Sequence, residues 1–281
     1  MDLDVEIEDL RRRGEGIHMA HVYYGDPNEE FSIKLIETLS SNGADIIEFG
    51  IPFSDPIADG AVFKAACERA LKTGITPNKC IEGIRRLRDS GMEKPIIVTT
   101  YFNIPYVMGL ENFLDKVKQV KAQGVLIPDL PLEEAKPFLD VIRRRGLHLI
   151  LQAAPTTSSK RLRKILAEAS GFIYVIGLEG VTGLKIKRWR KTISLIRSVK
   201  REKDIPVIVG FGISRREDAE SLVSAGADGV AVGSIYARIY SESLNNPLQK
   251  LPEIARLSNE IKLGCINGYR NRKYSFNKLN F

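Results

Sequence analysis

Apolar positions along this chain fall into two patterns that take turns. Segments such as Ile46–Ile51, Pro95–Tyr101, Gly171–Ile176 and Pro206–Val209 are nearly unbroken apolar runs of strand length. Between them the apolar residues recur at helical spacing, as in Phe31, Leu35, Ile36 and Leu39. Read in order, the pattern predicts strands at His18–Tyr24, 46–51, 95–101, 125–131, 147–152, 171–176, 206–209 and 228–232. It predicts helices over 31–39, 62–71, 77–89, 110–120, 133–145, 158–169, 186–200, 214–224 and 234–240. Pro77 suits a first helical turn, where its missing N–H does no harm, and Ser158 and Ser214 read as helix caps. Residues 1–16 form a further amphipathic helix ending in Arg11-Arg12-Arg13-Gly14, suited to covering the floor of the strand-and-helix body.

Eight short strands alternating with helices imply parallel pairing through helical crossovers. The absence of a long linker favours closure into a single (β/α)8 barrel with an extra N-terminal helix. The competing doubly wound sheet lacks support, because no Gly-x-Gly-x-x-Gly fingerprint follows the first strand. The barrel takes residues 1–262, closing with a helix from about 247. Residues 263–281, rich in Asn, Lys, Arg and Tyr, read as a loosely ordered basic tail.

Composition narrows the setting. Hydrophobic content of 43% and charged content of 27% fit a globular protein, and no apolar run approaches the roughly 20 residues needed to span a bilayer. The acidic start, Met1 to Glu6, lacks the order of a signal peptide, so a cytoplasmic protein is expected. Cys67, Cys80 and Cys265 offer no metal or disulfide spacing, and His18, His21 and His148 are too scattered for a metal cluster. The net charge of +7 favours anionic ligands, without any module for specific nucleic-acid binding.

The chemistry gathers where strands end, which is where barrels of this kind work. Glu48 interrupts the apolar run of strand two, which is costly unless the carboxyl has a partner or faces a pocket. The loop behind it, rich in Pro, Gly and Asp, presents Asp59. One acid on a rigid strand and another on the adjoining loop is a layout for proton transfer. A buried acid tied to backbone N–H groups beside a plain turn would give the same residues. Strand three ends with Tyr101 and Asn103, strand four with Asp129, and strand six carries Tyr174. Three glycine-bearing ends come after these: Gly180-Val181-Thr182-Gly183, Gly210-Phe211-Gly212-Ile213-Ser214 and Gly233-Ser234. Glycines let backbone N–H groups approach an anion, so together these ends read as a phosphate cradle. The chemistry expected is acid–base work on a phosphorylated small molecule, with neither metal nor cofactor.

These residues carry a resemblance. Over about residues 15–262 the chain is similar to the tryptophan synthase alpha chain family. The carrying motifs are Tyr24-Gly25-Asp26-Pro27, the run from Ile47 to Gly60, Pro128-Asp129-Leu130-Pro131, Gly180–Gly183 and Gly210–Ser214. The resemblance implies retro-aldol cleavage of indole-3-glycerol phosphate to indole and glyceraldehyde 3-phosphate, with no cofactor in this chain. It implies a partner, the pyridoxal-phosphate-dependent beta chain. It makes Glu48 the acid–base group and Asp59 the holder of the indole N–H, with Tyr174 near the glycerol phosphate. Gly183, Gly212, Gly233 and Ser234 become phosphate ligands, and Tyr101, Thr182 and Phe211 further substrate contacts. Loops 52–60 and 178–190 become the two closing loops.

The chain departs from the family at several places. His21 and Tyr23 stand where strand one usually offers apolar or aromatic residues and a Thr. Strand three reads Val98-Thr99-Thr100-Tyr101, Gln152 replaces an apolar residue on strand five, and Glu179 adds an acid before Gly180. His21 and Tyr23 share a strand face, so an inward His21 needs a partner, for which Gln152 is a candidate. Other readings stay open: a free-standing lyase without a beta chain, a weakly catalytic barrel that mainly activates a partner, or a phosphate-handling barrel with another substrate.

Overall fold

The computed structural model describes residues 2–177 and 189–277. Eight strands close into a barrel in sequence order, and every neighbouring pair is parallel, including β1 with β8. The strands are β1 (Ile17–Tyr23), β2 (Ile46–Gly50), β3 (Ile96–Thr99), β4 (Gly124–Leu126), β5 (His148–Ala153), β6 (Ile173–Ile176), β7 (Val207–Gly210) and β8 (Gly229–Val232). The described helices are α1 (Leu3–Arg13), α2 (Glu29–Ser41), α3 (Ala61–Lys72), α4 (Pro77–Asp89), α5 (Asn103–Met108), α6 (Leu110–Gln119), α7 (Leu132–Arg144), α8 (Ser159–Glu168), α9 (Arg190–Glu202), α10 (Arg216–Ser224), α11 (Ser234–Ser241) and α12 (Leu251–Asn277). None of them is long and apolar enough to cross a membrane.

Period-two alternation splits the apolar residues between two cores. Residues such as Ala20, Val22, Ile47, Phe49 and Val98 point outward and pack under the helices. Ile17, Met19, Ile46, Ile97, Leu126, Ile150, Ile208 and Ala231 fill the barrel interior together with Leu3, Ile7 and Leu10 of α1. The N-terminal helix thus plugs the floor, as its amphipathic pattern predicts. Its Asp2 side chain accepts from the N–H of Asp4 at 2.9 Å and of Val5 at 3.3 Å. Gly14 ends it in the left-handed region at φ 73°, where a Cβ is disfavoured.

Four expectations need correcting. Residues 263–277 are not loose: α12 runs on to Asn277, and Cys265 is fully buried. Its glycines explain the close fit, since a Cβ at Gly268 would lie 2.7 Å from the Glu220 carbonyl oxygen and 2.8 Å from Val223 Cβ on α10. Lys262 on the same helix reaches Asp45 at 2.8 Å and the Gly16 carbonyl at 3.1 Å. The second departure is α5, a short helix directly after β3 in a stretch that carried no helical prediction. Third, Ser214 does not cap α10; its backbone N–H donates to Asp218 Oδ2 at 3.2 Å, so the helix start is satisfied by an acid in its first turn. Ser158 does cap α8, accepting from the Arg161 N–H at 3.3 Å. Fourth, strands β3 and β4 are shorter than the apolar runs that announced them, because loop conformations begin at Thr100 and Ile127.

Candidate active site

Above the plugged floor the inward positions change character. The same strand faces that carry Met19, Ile46, Ile97 and Ile150 low in the barrel carry His21, Glu48, Thr99 and Gln152 higher up. These side chains, with Tyr23, Asp59, Phe63, Tyr174, Phe211, Gly212, Gly233 and Ser234, line a cavity of about 310 Å³ at the C-terminal ends of the strands.

Glu48 lies at the cavity's inner end and is 2% exposed. Its Oε1 accepts from the Thr99 hydroxyl at 2.9 Å, and His21 Nδ1 stands 3.3 Å from the same oxygen. Oε2 is buried and has no partner among the described residues. Burial pushes the carboxyl up to about 8, against the opposing pull of the Thr99 hydrogen bond. The same burial lowers His21 to about 3, so the imidazole is neutral. A neutral ring with Nδ1 toward the carboxyl leaves Nε2, which is buried without a partner.

Asp59 reaches the site from the β2–α3 loop. Its Oδ2 accepts hydrogen bonds from the hydroxyls of Tyr23 and Tyr101, each at 2.7 Å. Desolvation raises this carboxyl, and the two phenols work in the opposite direction. Tyr101 also accepts from the Ala58 N–H at 3.1 Å and stacks on Phe53 with ring centroids 5.4 Å apart. One tyrosine of β3's end therefore ties down the loop that carries Asp59. Tyr101, expected as a substrate contact, is 1% exposed beneath the loop, and its hydroxyl donates to Asp59 Oδ2.

Tyr174 rises from β6 into the cavity, with its ring edge-on to Phe211 at 6.3 Å. Gly210 on the neighbouring strand makes room for it, because a Cβ there would collide with the Tyr174 hydroxyl. Phe211 and Gly212 both hold φ 74°, a turn that brings the β7–α10 backbone to the rim. Gly233 and Ser234, at the start of α11, lie on the same rim. Thr182, Gly183 and Glu179 lie outside the described residues.

Two side chains that the sequence did not single out help to build the site. Phe63 packs on His21 at 4.6 Å and on Tyr23 at 5.1 Å, closing one wall. Thr99 is the hydrogen-bond donor to Glu48; the alternation along β3, which turns Ile97 and Thr99 to the same face, was the available signal. The expected pairing of His21 with Gln152 is replaced by the contact with Glu48, its register partner across β1 and β2. His18 points outward and is structural, with Nδ1 3.2 Å from the Gly43 carbonyl oxygen and Nε2 3.0 Å from the Tyr236 hydroxyl. Asp129 is structural too, accepting from the Phe102 N–H at 2.9 Å.

Comparison with known proteins agrees in sequence and in structure. A family profile described as tryptophan synthase alpha chain matches residues 7–265. A tryptophan synthase alpha chain from Methanocaldococcus jannaschii is 42% identical over 245 residues, covering 87% of this chain and 86% of the relative. One from Methanopyrus kandleri is 35% identical over 270 residues, covering 95% and 96%. Among solved structures, a tryptophan synthase alpha chain from Legionella pneumophila superposes with a TM-score of 0.85 at 29% identity, covering 95% of this chain and 98% of that one. A ligand-free tryptophan synthase from M. tuberculosis gives 0.83 at 27% identity, covering 94% and 98%.

Proposed function

The chain belongs to the tryptophan synthase alpha chain family, and on that premise we propose that it cleaves indole-3-glycerol phosphate to indole and glyceraldehyde 3-phosphate through Glu48 and Asp59. The observation that carries this reading is the unpartnered Oε2 of Glu48, buried in the cavity that Asp59 also lines. A buried carboxyl raised to about 8 is protonated near neutrality and can act as an acid. It gives its proton to C3 of the indole ring, and the ring becomes a positively charged indolenine. Asp59, with Oδ2 occupied by two phenols, offers Oδ1 to the indole N–H and stabilises that charge. The carboxylate left on Glu48 then takes the proton of the side-chain hydroxyl next to the ring. The oxygen's electrons form the aldehyde C=O, the C–C bond to C3 breaks, and its electron pair restores the neutral indole. Glu48 ends protonated, as it began.

The phosphate is assigned to the rim formed by Gly212, Gly233 and Ser234, with Gly183 as a further ligand, where backbone groups and the N-terminal end of α11 favour an anion. Tyr174 and Phe211 would flank the glycerol chain between rim and floor. Every step is a proton transfer or a bond cleavage that these side chains can support, so the reading assigns no cofactor to this chain. The family's beta chain, a pyridoxal-phosphate enzyme, is the partner that consumes the indole, and the reading places the pair in the cytoplasm. The test is indole release from indole-3-glycerol phosphate, with and without a beta chain. Release that rises with the beta chain is expected. No release in either condition would overturn the assignment, and release indifferent to the beta chain would make the enzyme free-standing.

A further inference from the structure

The two oxygens of Glu48 have different surroundings. Oε1 has the Thr99 hydroxyl at 2.9 Å and His21 Nδ1 at 3.3 Å, while Oε2 has no partner among the described residues. The neighbours fix this asymmetry. The His21 ring is held between Tyr23 at 4.9 Å and Phe63 at 4.6 Å. It also needs two glycines: a Cβ at Gly50 would lie 2.9 Å from His21 Nε2, and one at Gly233 would lie 2.8 Å from His21 Cβ. The Thr99 hydroxyl comes from β3, whose register sets Thr99 beside Gly50 and so two residues beyond Glu48 along the β2–β3 ladder.

Building on the functional reading above, we propose that Thr99 is a positioning residue whose hydroxyl occupies Oε1 of Glu48, with the His21 ring packed against the same oxygen, so that the exchangeable proton sits on Oε2 and this one oxygen both delivers it to the ring carbon and recovers it from the hydroxyl. The chemistry comes from donor counting. A carboxylic acid oxygen that already accepts a hydrogen bond and is crowded by a ring is the poorer place for an O–H, so the proton goes to the other oxygen. With the Thr99 donor fixed and the His21 ring held against the same oxygen, proton delivery and recovery take place at one point in space.

The test separates positioning from mere support. Thr99→Val removes one donor at similar volume, and Thr99→Ser keeps it. In Thr99→Val, kcat is expected to fall about tenfold, the scale of one hydrogen bond to an ionising group. KM should stay within about twofold, because Thr99 acts on Glu48 and not on the ring or the phosphate. The lost donor also favoured the carboxylate, so the Glu48 carboxyl, followed by infrared titration in the free protein, should titrate at higher pH than in the wild type. Thr99→Ser should restore both. If Thr99→Val does not fold, Thr99→Ala, which gives up the same hydroxyl in less volume, is read in the same way. An unshifted carboxyl titration, or a KM rise with kcat unchanged, would overturn the proposal. Wild-type protein that releases no indole would instead remove the functional reading, while the titration arm still decides the role of Thr99.

Discussion

His21 and Glu48 face each other across the β1–β2 ladder as register partners, with Nδ1 3.3 Å from Oε1. The relationship puts a neutral imidazole at the inner end of a pocket assigned to an apolar ring. Replacing it should therefore pull the two kinetic constants apart. His21→Phe gives the ring an apolar wall, so KM for indole-3-glycerol phosphate is expected to fall severalfold. It also removes the polar ring that stands 3.3 Å from Glu48 Oε1, so kcat should fall as well. Steady-state kinetics decide this, and an unchanged or higher KM with the fold intact would leave His21 without an effect on the ring.

Glu48→Gln and Asp59→Asn keep volume and remove the acid. Each is expected to fold, by circular dichroism and melting temperature, and to lose about two or more powers of ten in indole release. Near-normal turnover in Glu48→Gln would end the proton-transfer mechanism, whatever the effect at Asp59.

The acidity of Glu48 makes a paired statement about rate and stability. Activity that needs the protonated acid should decline in kcat/KM as pH rises past about 8. In the folded protein this carboxyl is raised to about 8 from an ordinary value of 4.5, so its favourable contribution is complete below 4.5 and is lost as pH climbs through 8. Glu48→Gln, neutral at every pH, should therefore melt higher than wild type at pH 9, and the gap should close by about pH 4. A gap independent of pH would show that Glu48 does not titrate where its burial places it. His21, lowered by burial to about 3, has the opposite sense: its contribution is lost as pH falls from 6.5 toward 3.

Gly210 and Tyr174 form a second coupled pair. Gly210→Ala sets a Cβ against the Tyr174 hydroxyl and should cost about 1–3 kcal/mol in stability, as overpacked cores do. Tyr174→Phe in the same background removes the clashing oxygen and should recover part of that loss. Strictly additive effects in denaturant melts would contradict the contact.

How much of this was legible before the fold was known depends on what each residue needs. Glu48 stood out because a carboxylate interrupts an apolar strand, and a single segment is enough to see that. Asp59 came with the loop behind it. Thr99 did not stand out, because its role exists only once β2 and β3 are in register and Gly50 and Thr99 are side by side. Phe63 looked like one more apolar residue of a helix, and its place over His21 depends on how the loop at 52–60 returns to the barrel. The tail was misread for a similar reason. Its polar composition suggests a solvated segment, yet Cys265 and two close-packing glycines give it a face that α10 and the start of β1 complete.

That face carries its own expectation. Deleting residues 263–281 would uncover the apolar surface around Val223 and Ile17 that α12 covers, and should lower the melting temperature by many degrees. Lys262→Met tests the same region by charge. Asp45 is 5% exposed and has Lys262 at 2.8 Å, so removing the lysine strands a buried acid and should cost about 3–5 kcal/mol. A truncated protein as stable as the full chain would return residues 263–281 to the status of a loose end.

The floor plug has a consequence for traffic. With Leu3, Ile7 and Leu10 stoppering one end, the cavity among the described residues opens at the C-terminal ends of the strands. On the proposed reading, the ring of the substrate lodges past the rim assigned to the phosphate. On that reading the freed indole leaves by the way it came, past that rim and the loop that Tyr101 tethers. A receiver of indole then belongs over that mouth on this reading, and the helix that seals the bottom sets the address of delivery at the top.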